Sequence, residues 1–134
     1  METLRITGTG AQLQGVGRLR DGRVAFVPFS IPGETVDAEI VRDCGRYVEA
    51  RLLVVREASP ERVEPDCPAF GVCGGCQARH MTYAETLRLK RQRVVDALTR
   101  IGGLEAPRVL ETLPMPEPLR CRNKAEYAVS GGQI

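Results

Sequence analysis

The sequence predicts an α+β chain that opens with a small five-stranded β-barrel and continues into a cysteine loop, one α-helix and the start of a β-sheet. Two observations predict this order. Short β-branched runs separated by glycine-containing turns fill residues 1–57, which is typical of a small all-β unit. Apolar residues then recur at helical spacing before Gly102-Gly103, and alternating apolar positions return after residue 120.

The turns of the barrel give its clearest local signals. Asp21-Gly22 stands between two strand-like runs and suits a two-residue type I′ hairpin, because both positions tolerate positive φ. Pro32-Gly33 suits a type II turn. Two later runs alternate with the period of a strand, at Val36, Ala38 and Ile40 and then at Val48, Ala50, Leu52 and Val54. Five such strands favour a closed OB-like barrel, since closure removes exposed edges.

The second half of the chain predicts a linker and a helix. Residues 58–66 hold two prolines and several charges without periodicity, so we expect a linker. Thr82 and Glu85 form a Thr-x-x-Glu capping box, which predicts a helix start near residue 83. The expected buried stripe of this helix is Leu87, Val94, Leu98 and Ile101. The chain therefore divides into residues 1–57, a barrel; 58–66, a linker; 67–103, a cysteine loop plus helix; and 104–134, the start of a truncated sheet domain.

Composition alone excludes few functions. The 134 residues are 43% hydrophobic and 27% charged, as in ordinary globular proteins, and the net charge of +2 does not by itself indicate a nucleic-acid partner. The distribution of charge says more, because basic residues crowd one stretch: Arg79, Arg88, Lys90, Arg91, Arg93 and Arg100. Such a stripe fits phosphate, and a solvated helix face is the alternative of equal weight.

The compartment follows from what the sequence lacks. It contains no apolar run of about 18 residues and no basic-then-apolar leader, so we expect a cytoplasmic chain with no membrane partner. In that reducing environment the five cysteines are not a disulfide framework, and clustered cysteines indicate metal binding or catalysis.

Three cysteines form the central motif. Cys67, Cys73 and Cys76 are spaced C-x5-C-x2-C, and glycines between them allow tight bends that aim N–H groups at sulfur. Thiolates are soft ligands that favour iron–sulfur clusters or zinc. A [4Fe–4S] cluster would need a fourth cysteine from elsewhere, whereas a Cys3His zinc site would use His80. Buried, unligated cysteines are the least favoured alternative.

The other two cysteines are weaker candidates. Cys44 falls in a predicted turn and is interpreted as an incidental small residue. Cys121 begins the last predicted strand and is a weak candidate for a fourth ligand, because its neighbours Arg122 and Lys124 indicate a strand that faces RNA. Phe70 and Tyr47 are candidates for stacking on bases, although Phe70 is expected rather to pack beside the metal site.

Four segments together resemble a known family: residues 15–34 with their Gly-Val-Gly-Arg and Pro-Gly-Glu motifs, residues 59–62, the cysteine loop 67–77, and residues 122–125. The sequence resembles the TRAM-domain RNA uracil-5-methyltransferases that carry an iron–sulfur cluster and act on 23S ribosomal RNA or on tRNA. The resemblance implies a TRAM barrel that binds RNA, a [4Fe–4S] cluster held by four cysteines, and S-adenosylmethionine chemistry in a C-terminal domain.

The sequence departs from that family in two ways. It contains neither the catalytic domain nor the family's fourth cluster cysteine, so we expect an inactive N-terminal portion that offers three ligands, Cys67, Cys73 and Cys76, and no catalytic residue. S-adenosylmethionine is not expected to bind here, and the missing methyltransferase domain of the same polypeptide is the expected partner. A standalone, zinc-stabilised RNA-binding module is the alternative.

The expected RNA contacts are basic. Arg18, Arg20 and Arg23 flank the Asp-Gly hairpin and could follow an RNA backbone, with hairpin solubility and edge protection as the alternative role. Arg122 and Lys124 share one strand face that the resemblance implies is used for RNA, ribosomal ahead of transfer RNA. With 4% aromatic residues, binding is expected to be dominated by phosphate and sensitive to salt.

Overall fold

The computed structural model describes residues 1–120 together with residues 123, 124, 126 and 131. Its elements are β1 (Glu2–Thr9), β2 (Gly15–Arg18), β3 (Val24–Val27), β4 (Thr35–Asp43), β5 (Tyr47–Glu57), α1 (Tyr83–Asp96) and a π-helical turn (Ala97–Ile101) that extends α1. The predicted order of strands, loop and helix is confirmed. The strand predicted after residue 120 falls mainly on residues outside the described ones.

The five strands form the predicted closed barrel, in the order β1-β2-β3-β5-β4 with β4 pairing back to β1. All neighbours are antiparallel except β3 and β5, which are parallel. The barrel interior is filled by small and branched side chains: Leu4, Ile6, Leu19, Ala25, Val27, Val36, Ala38, Val48 and Ala50. Because inward residues alternate with outward ones, β2 and β3 present a second, outward set of side chains to solvent.

The hairpin between β2 and β3 differs from the predicted two-residue turn. Gly22 N donates to Leu19 O at 3.0 Å and Leu19 N donates to Arg23 O at 2.9 Å, so the loop has three residues. Gly22 has a φ of +87°, whereas Asp21 keeps a negative φ. The Asp21 carboxylate accepts a hydrogen bond from Arg23 N at 3.0 Å, and this local bond stabilises the longer turn with a left-handed glycine.

The alternation predicted for β5 holds at first and then reverses. Val48 and Ala50 are buried as predicted, but Val54 is exposed and Val55 packs against the barrel core. The pairing of β5 with β4 shifts register between Leu52 and Val54. This β-bulge adds one residue to β5, and because the side-chain period is two, one extra residue exchanges the inner and outer faces.

The Pro32-Gly33 turn is confirmed and positions a buried carboxylate. Glu34 N donates to Ile31 O at 3.1 Å, and Gly33 has a φ of +94°, as a type II turn requires. Ile6 N on β1 donates to Glu34 O at 2.8 Å, which ties the turn to the barrel. The Glu34 side chain is fully buried at this point.

Glu34 binds the segment that follows the barrel. Arg62 Nε donates to Glu34 Oε1 at 2.6 Å and Arg62 Nη2 donates to Oε2 at 2.8 Å, a bidentate ion pair. The backbone N–H groups of Ile31 and Ser59 donate to the same carboxylate at 2.9 and 3.2 Å. Arg62 Nη2 also donates to Phe29 O at 2.8 Å. Residues 59–62, within the predicted linker, are therefore bound to the barrel.

Helix α1 begins where the capping box predicts. Thr82 is the N-cap, and its hydroxyl accepts a hydrogen bond from Glu85 N at 3.2 Å. The Glu85 carboxylate does not complete the box; it accepts two bonds from Arg88 at 2.6 Å. The helical region ends at Gly102, whose N–H donates to Ala97 O at 3.0 Å.

The predicted buried stripe of α1 is only partly confirmed, because Leu87 and Leu98 are half-buried and the other two residues are exposed. Leu89 is the buried apolar residue of the helix, and it packs with Ile31 and Met81. Val94 and Ile101 are 47% and 88% exposed. The buried residues of α1 are Glu85, Thr86 and Leu89, all in its first half, so a stripe drawn over the full length of the helix does not describe its buried face.

Residues 104–115 run antiparallel to α1. Three hydrogen bonds join the two segments: Arg91 Nε to Val109 O at 3.0 Å, Thr112 Oγ1 to Leu87 O at 2.9 Å, and Met115 N to Tyr83 Oη at 2.9 Å. The proline-rich connection is thus ordered along the helix. No helix in the described part of the chain is both long and apolar enough to cross a membrane.

We expect Arg62→Ala to lower the free energy of unfolding by about 3–5 kcal/mol, because it leaves the buried Glu34 carboxylate without its counter-charge. Arg51→Ala is the matched control: Arg51 pairs with Glu39 on the surface, and its loss should cost under about 1 kcal/mol. Urea denaturation of both variants measures the difference. Equal losses would show that the buried pair has no special weight.

Acid should weaken the same pair. Burial alone would raise the pKa of Glu34, but hydrogen bonds from Arg62, Ile31 N and Ser59 N outweigh burial and hold the pKa below its usual 4.5. A carboxyl with a lowered folded-state pKa stabilises the fold above its unfolded pKa, and this stabilisation is lost as pH falls below about 4.5. We expect Glu34→Gln to be less stable than wild type near neutral pH, with the gap narrowing in acid. A gap that stays constant across a urea–pH series would contradict this.

Candidate nucleic-acid interface and cysteine loop

The outward face of β2 and β3 carries Val16, Arg18, Val24 and Phe26, because their neighbours along each strand point into the barrel. Arg18 is exposed at the end of β2, where its Nη1 donates to Gly22 O at 2.9 Å. Arg20 is exposed in the hairpin loop. The structure therefore places these two predicted barrel cations on the same solvent-facing hairpin.

Arg23, in the same hairpin, is neutralised. Its Nε and Nη1 each lie 2.8 Å from a carboxylate oxygen, of Asp21 and Asp43 respectively. Its hydrogen bonds to the Asp43 and Asp21 carboxylates raise the pKa of Arg23, and Arg23 lowers the pKa of both acids in return. Arg23 thus ties the hairpin to β4, which leaves Arg18 and Arg20 as the hairpin cations that face solvent.

A groove of about 610 Å³ separates this face from α1. Arg18 lines it from the barrel, and Arg88 and Arg100 line it from the helical side. We call it the arginine groove. The Arg88 guanidinium is bound by the buried Glu85 carboxylate, which raises the pKa of Arg88. Arg18 and Arg100 therefore supply most of the positive charge that the groove can offer to an anion, and the Asp96 carboxylate in its lining offsets part of that charge.

A second cavity of about 830 Å³ lies between the barrel and the cysteine loop. We call it the aromatic cleft, because Phe26, Phe29 and Tyr47 line its barrel side. The Phe26 and Tyr47 rings lie edge to face, with centroids 5.5 Å apart at 84°. Its other lining residues include three glutamines and, from the cysteine loop, two glycines and a cysteine: Gln12, Gln14, Gln77, Gly71, Gly74 and Cys76. Phe26 lines both the cleft and the arginine groove.

Three rings hold the cysteine loop against the barrel. Phe70 of the loop packs on Phe29 with centroids 5.2 Å apart and on His80 at 5.7 Å. His80 is buried, and burial first and the Arg62 guanidinium second lower its pKa to about 4, so its ring is neutral near pH 7. Neither ring nitrogen of His80 has a hydrogen-bond partner in the described part of the chain.

The three predicted ligand cysteines lie on one loop at the protein surface. Cys67 is half-buried, and Cys73 and Cys76 are exposed. Gly75 N donates to Cys73 Sγ at 3.4 Å, as expected of a backbone that turns its N–H groups toward sulfur. Arg79, bound to the Asp66 carboxylate, brings a cation to the loop, and its pKa is raised by Asp66 first and, more weakly, by Cys76 and Cys67.

The structure does not bring these thiols into a metal-binding group. Among the described residues, no three side chains of cysteine, histidine, aspartate or glutamate are arranged to hold a metal ion. That statement covers Cys67, Cys73, Cys76 and the alternative ligand His80, all of which are described. The assignment of the trio as metal ligands therefore stays a prediction.

The remaining predicted residues are placed as follows. Lys124 is exposed and lies 2.5 Å from Glu126 Oε1, so its charge is partly neutralised. Arg122 and Cys121 lie outside the described residues. Cys44 is half-buried in the turn between β4 and β5, where its N–H donates to Tyr47 O at 3.0 Å.

Sequence reasoning missed the aromatic cleft. Phe26 could have been placed outward, since it alternates with the buried Ala25 and Val27. Phe29 and the three glutamines carry no such periodic signal. They meet only because the cysteine loop packs against the barrel.

A family model described as TRAM domain matches residues 2–53, which is almost the whole barrel. Residues 2–53 form a TRAM domain. Over 121 residues the chain is 45% identical to a protein named uncharacterized RNA methyltransferase of Chlorobaculum tepidum, covering 90% of this chain and 24% of that protein. A protein of the same name from Halalkalibacterium halodurans is 46% identical over 123 residues, covering 90% of this chain and 27% of that protein. The chain is thus similar over most of its length to a segment of proteins named RNA methyltransferase, and its barrel is a TRAM domain.

The chain spans about a quarter of the length of these relatives. Among solved structures, it is similar to the Pyrococcus abyssi tRNA (uracil-54, C5)-methyltransferase in complex with S-adenosyl-L-homocysteine. That similarity has a TM-score of 0.48 and 29% identity, and it covers 76% of this chain and 22% of the other.

Proposed function

We propose that this chain is the RNA-binding N-terminal portion of a cytoplasmic, S-adenosylmethionine-dependent RNA uracil-5-methyltransferase, with 23S ribosomal RNA as substrate and transfer RNA as the alternative. The proposal rests mainly on one observation: the chain has a TRAM barrel, and Arg18 on the outward face of β2 and β3 lines the arginine groove. The relatives named RNA methyltransferase support it. Methyl transfer and the methyl donor belong, in this proposal, to a region other than residues 1–134.

The charges of the interface suit an RNA backbone. Arg18 and Arg20 are exposed on the hairpin, and Arg100 faces Arg18 across the groove. Guanidinium groups bind phosphate oxygens through several N–H donors and displace counterions, so affinity falls as salt rises. Arg122 and Lys124 remain part of the proposed interface, although Lys124 would first have to release Glu126.

We further propose that Cys67, Cys73 and Cys76 hold a [4Fe–4S] cluster whose fourth ligand comes from outside the described chain. Soft thiolates, glycines at positive φ at 71 and 74, and the Gly75 N–H directed at Cys73 Sγ support this choice. The Arg79 cation would offset part of the negative charge of the thiolates. When bound, the cluster would cross-link the loop rather than perform redox chemistry.

The packing of His80 disfavours the zinc alternative. A Cys3His site needs an imidazole nitrogen at the metal. His80 is 2% exposed, and its ring is packed against Phe29 and Phe70. A zinc ligand role would require His80 to leave this ring cluster, whereas Cys73 and Cys76 are exposed and Cys67 is half-buried.

RNA affinity should fall with salt and depend on Arg18. We expect Arg18→Ala to weaken binding of a ribosomal RNA hairpin and to reduce the slope of log affinity against log salt by about 1, as for one lost phosphate contact. Arg20→Ala should act in the same direction. Arg51→Ala, which removes a cation that pairs with Glu39 and lines neither cavity, should leave the slope unchanged. Fluorescence anisotropy at increasing salt measures all four proteins, and a flat slope for wild type would refute phosphate binding.

The C-terminal contacts have their own test in that assay. Arg122→Ala and Lys124→Ala should each weaken binding, since both are assigned to the RNA face. Unchanged affinity in both variants would remove residues 122–124 from the interface while leaving the barrel interface intact.

Metal analysis after anaerobic purification tests the cluster. We expect bound iron and sulfide, both lost when Cys67, Cys73 and Cys76 are replaced by serine, because thiolates are the proposed ligands. Cys44→Ser is the matched control and should retain both. Near-stoichiometric zinc without iron, lost on His80→Ala, would instead establish the zinc module.

A further inference from the structure

We infer that the aromatic cleft binds one unpaired nucleobase of the RNA strand whose phosphates occupy the arginine groove. The inference rests on the proposed function, since it assigns a subsite within the RNA interface. It adds a contact of a different chemistry, stacking and amide hydrogen bonds, to an interface that the sequence predicts to be dominated by phosphate.

The distribution of aromatic residues supports a stacking site. The sequence has three phenylalanines, three tyrosines and no tryptophan. Phe26, Phe29 and Tyr47 line this one cleft, and Phe70 packs behind Phe29. Most of the few aromatic rings in this protein therefore lie in or next to a single surface cavity. Aromatic rings at a protein surface are the usual stacking partners of unpaired bases.

The arrangement of the rings leaves room for a planar ligand such as a nucleobase. Phe26 and Tyr47 meet at 84°, so together they form a corner that offers one ring face and one ring edge. Tyr47 and Phe29 are each 37% exposed, although large aromatic side chains are usually more fully covered. The cavity of about 830 Å³ lies within the range of ordinary ligand sites, which is about 300–1,000 Å³.

The polar lining matches a base edge. Gln12, Gln14 and Gln77 reach the cleft, and a glutamine amide offers both a donor and an acceptor, as the edge of a nucleobase does. Gln14 Oε1 accepts a hydrogen bond from Gln12 N at 2.7 Å, which holds that side chain in place. On the loop side, Gly71 and Gly74 contribute backbone without a side chain, so the wall there stays open.

The charge of the cleft favours a base over a phosphate. Among the described residues that line it there is no lysine or arginine, and the Glu49 carboxylate in its lining lies 3.9 Å from the Arg42 guanidinium, so the lining itself offers no free cation to a phosphate. The cations lie instead in the arginine groove on the other side of Phe26. One strand can therefore place its phosphates beside Arg18 and turn a neutral base past Phe26 into the cleft.

Binding of base-containing and base-free RNA separates this contact from phosphate binding. The probes are a fluorescein-labelled oligouridylate of about eight nucleotides, within the OB-fold site size, and an abasic ribose-phosphate strand of equal length and charge. Stacking of one base is worth about 1–3 kcal/mol, so the full chain should bind the intact probe about 5- to 150-fold more tightly.

Two variants that remove a ring but keep apolar bulk assign the effect to the cleft. Phe26→Leu and Tyr47→Leu should weaken binding of the intact probe and leave the abasic probe unchanged, whereas Tyr47→Phe should retain the affinity. Val54→Ala, at an exposed position on β5 outside both cavities, is the control and should change neither.

Each outcome decides the inference. Equal affinity for the two probes, or ring variants that weaken both probes equally, would overturn the base subsite. If Arg18→Ala still weakened both probes in that case, the proposed RNA-binding function would stand. Failure of the wild-type chain to bind either probe would overturn the proposed function and the subsite together.

Discussion

The buried ion pair between Glu34 and Arg62 is the contact on which the placement of the functional surfaces depends. A fully buried carboxylate is costly unless it is paired and hydrogen-bonded, and Glu34 has both Arg62 and two backbone N–H donors. Once Arg62 is fixed, the chain beyond it is fixed too: Arg62 forms a β-bridge with Met81, and Val63 N donates to His80 O at 3.1 Å. The cysteine loop and the start of α1 are thereby held against the barrel.

Both cavities follow from that attachment. The aromatic cleft exists because the cysteine loop lies over the barrel face around Phe26, and the arginine groove exists because α1 lies beside the same hairpin. The ring cluster of Phe29, Phe70 and His80 packs the cysteine loop against the barrel beside the aromatic cleft. A TRAM barrel alone would offer an exposed strand face, whereas the attached loop and helix turn that face into two neighbouring sites with different chemistry, one cationic and one aromatic.

Much of the fold could be predicted because its signals are local. The type II turn needs a glycine at positive φ, and the helix start needs a hydroxyl such as that of Thr82, so each is visible within a few residues. The length of the β2–β3 hairpin loop was wrong for a local reason, the Asp21–Arg23 hydrogen bond, but two other errors arose where a contact between distant residues decides. The bulge in β5 exchanges Val54 for Val55, and the docking of α1 through Leu89 leaves Val94 exposed. Periodicity reports which residues could share a face, but not which face will be covered.

The sequence by itself determined the closed barrel, the positions of its turns, the helix start and the cysteine trio, because these depend on backbone preferences and on short spacing. Only the tertiary structure decided which charges are neutralised and which rings meet. Arg23 is held by two carboxylates while Arg18, five residues earlier, faces the groove, and Phe26 meets Tyr47 only through the parallel pairing of β3 with β5. Ion pairs and ring contacts depend on which residues are close in space. The local sequence around a residue does not indicate which distant residue it will contact after folding.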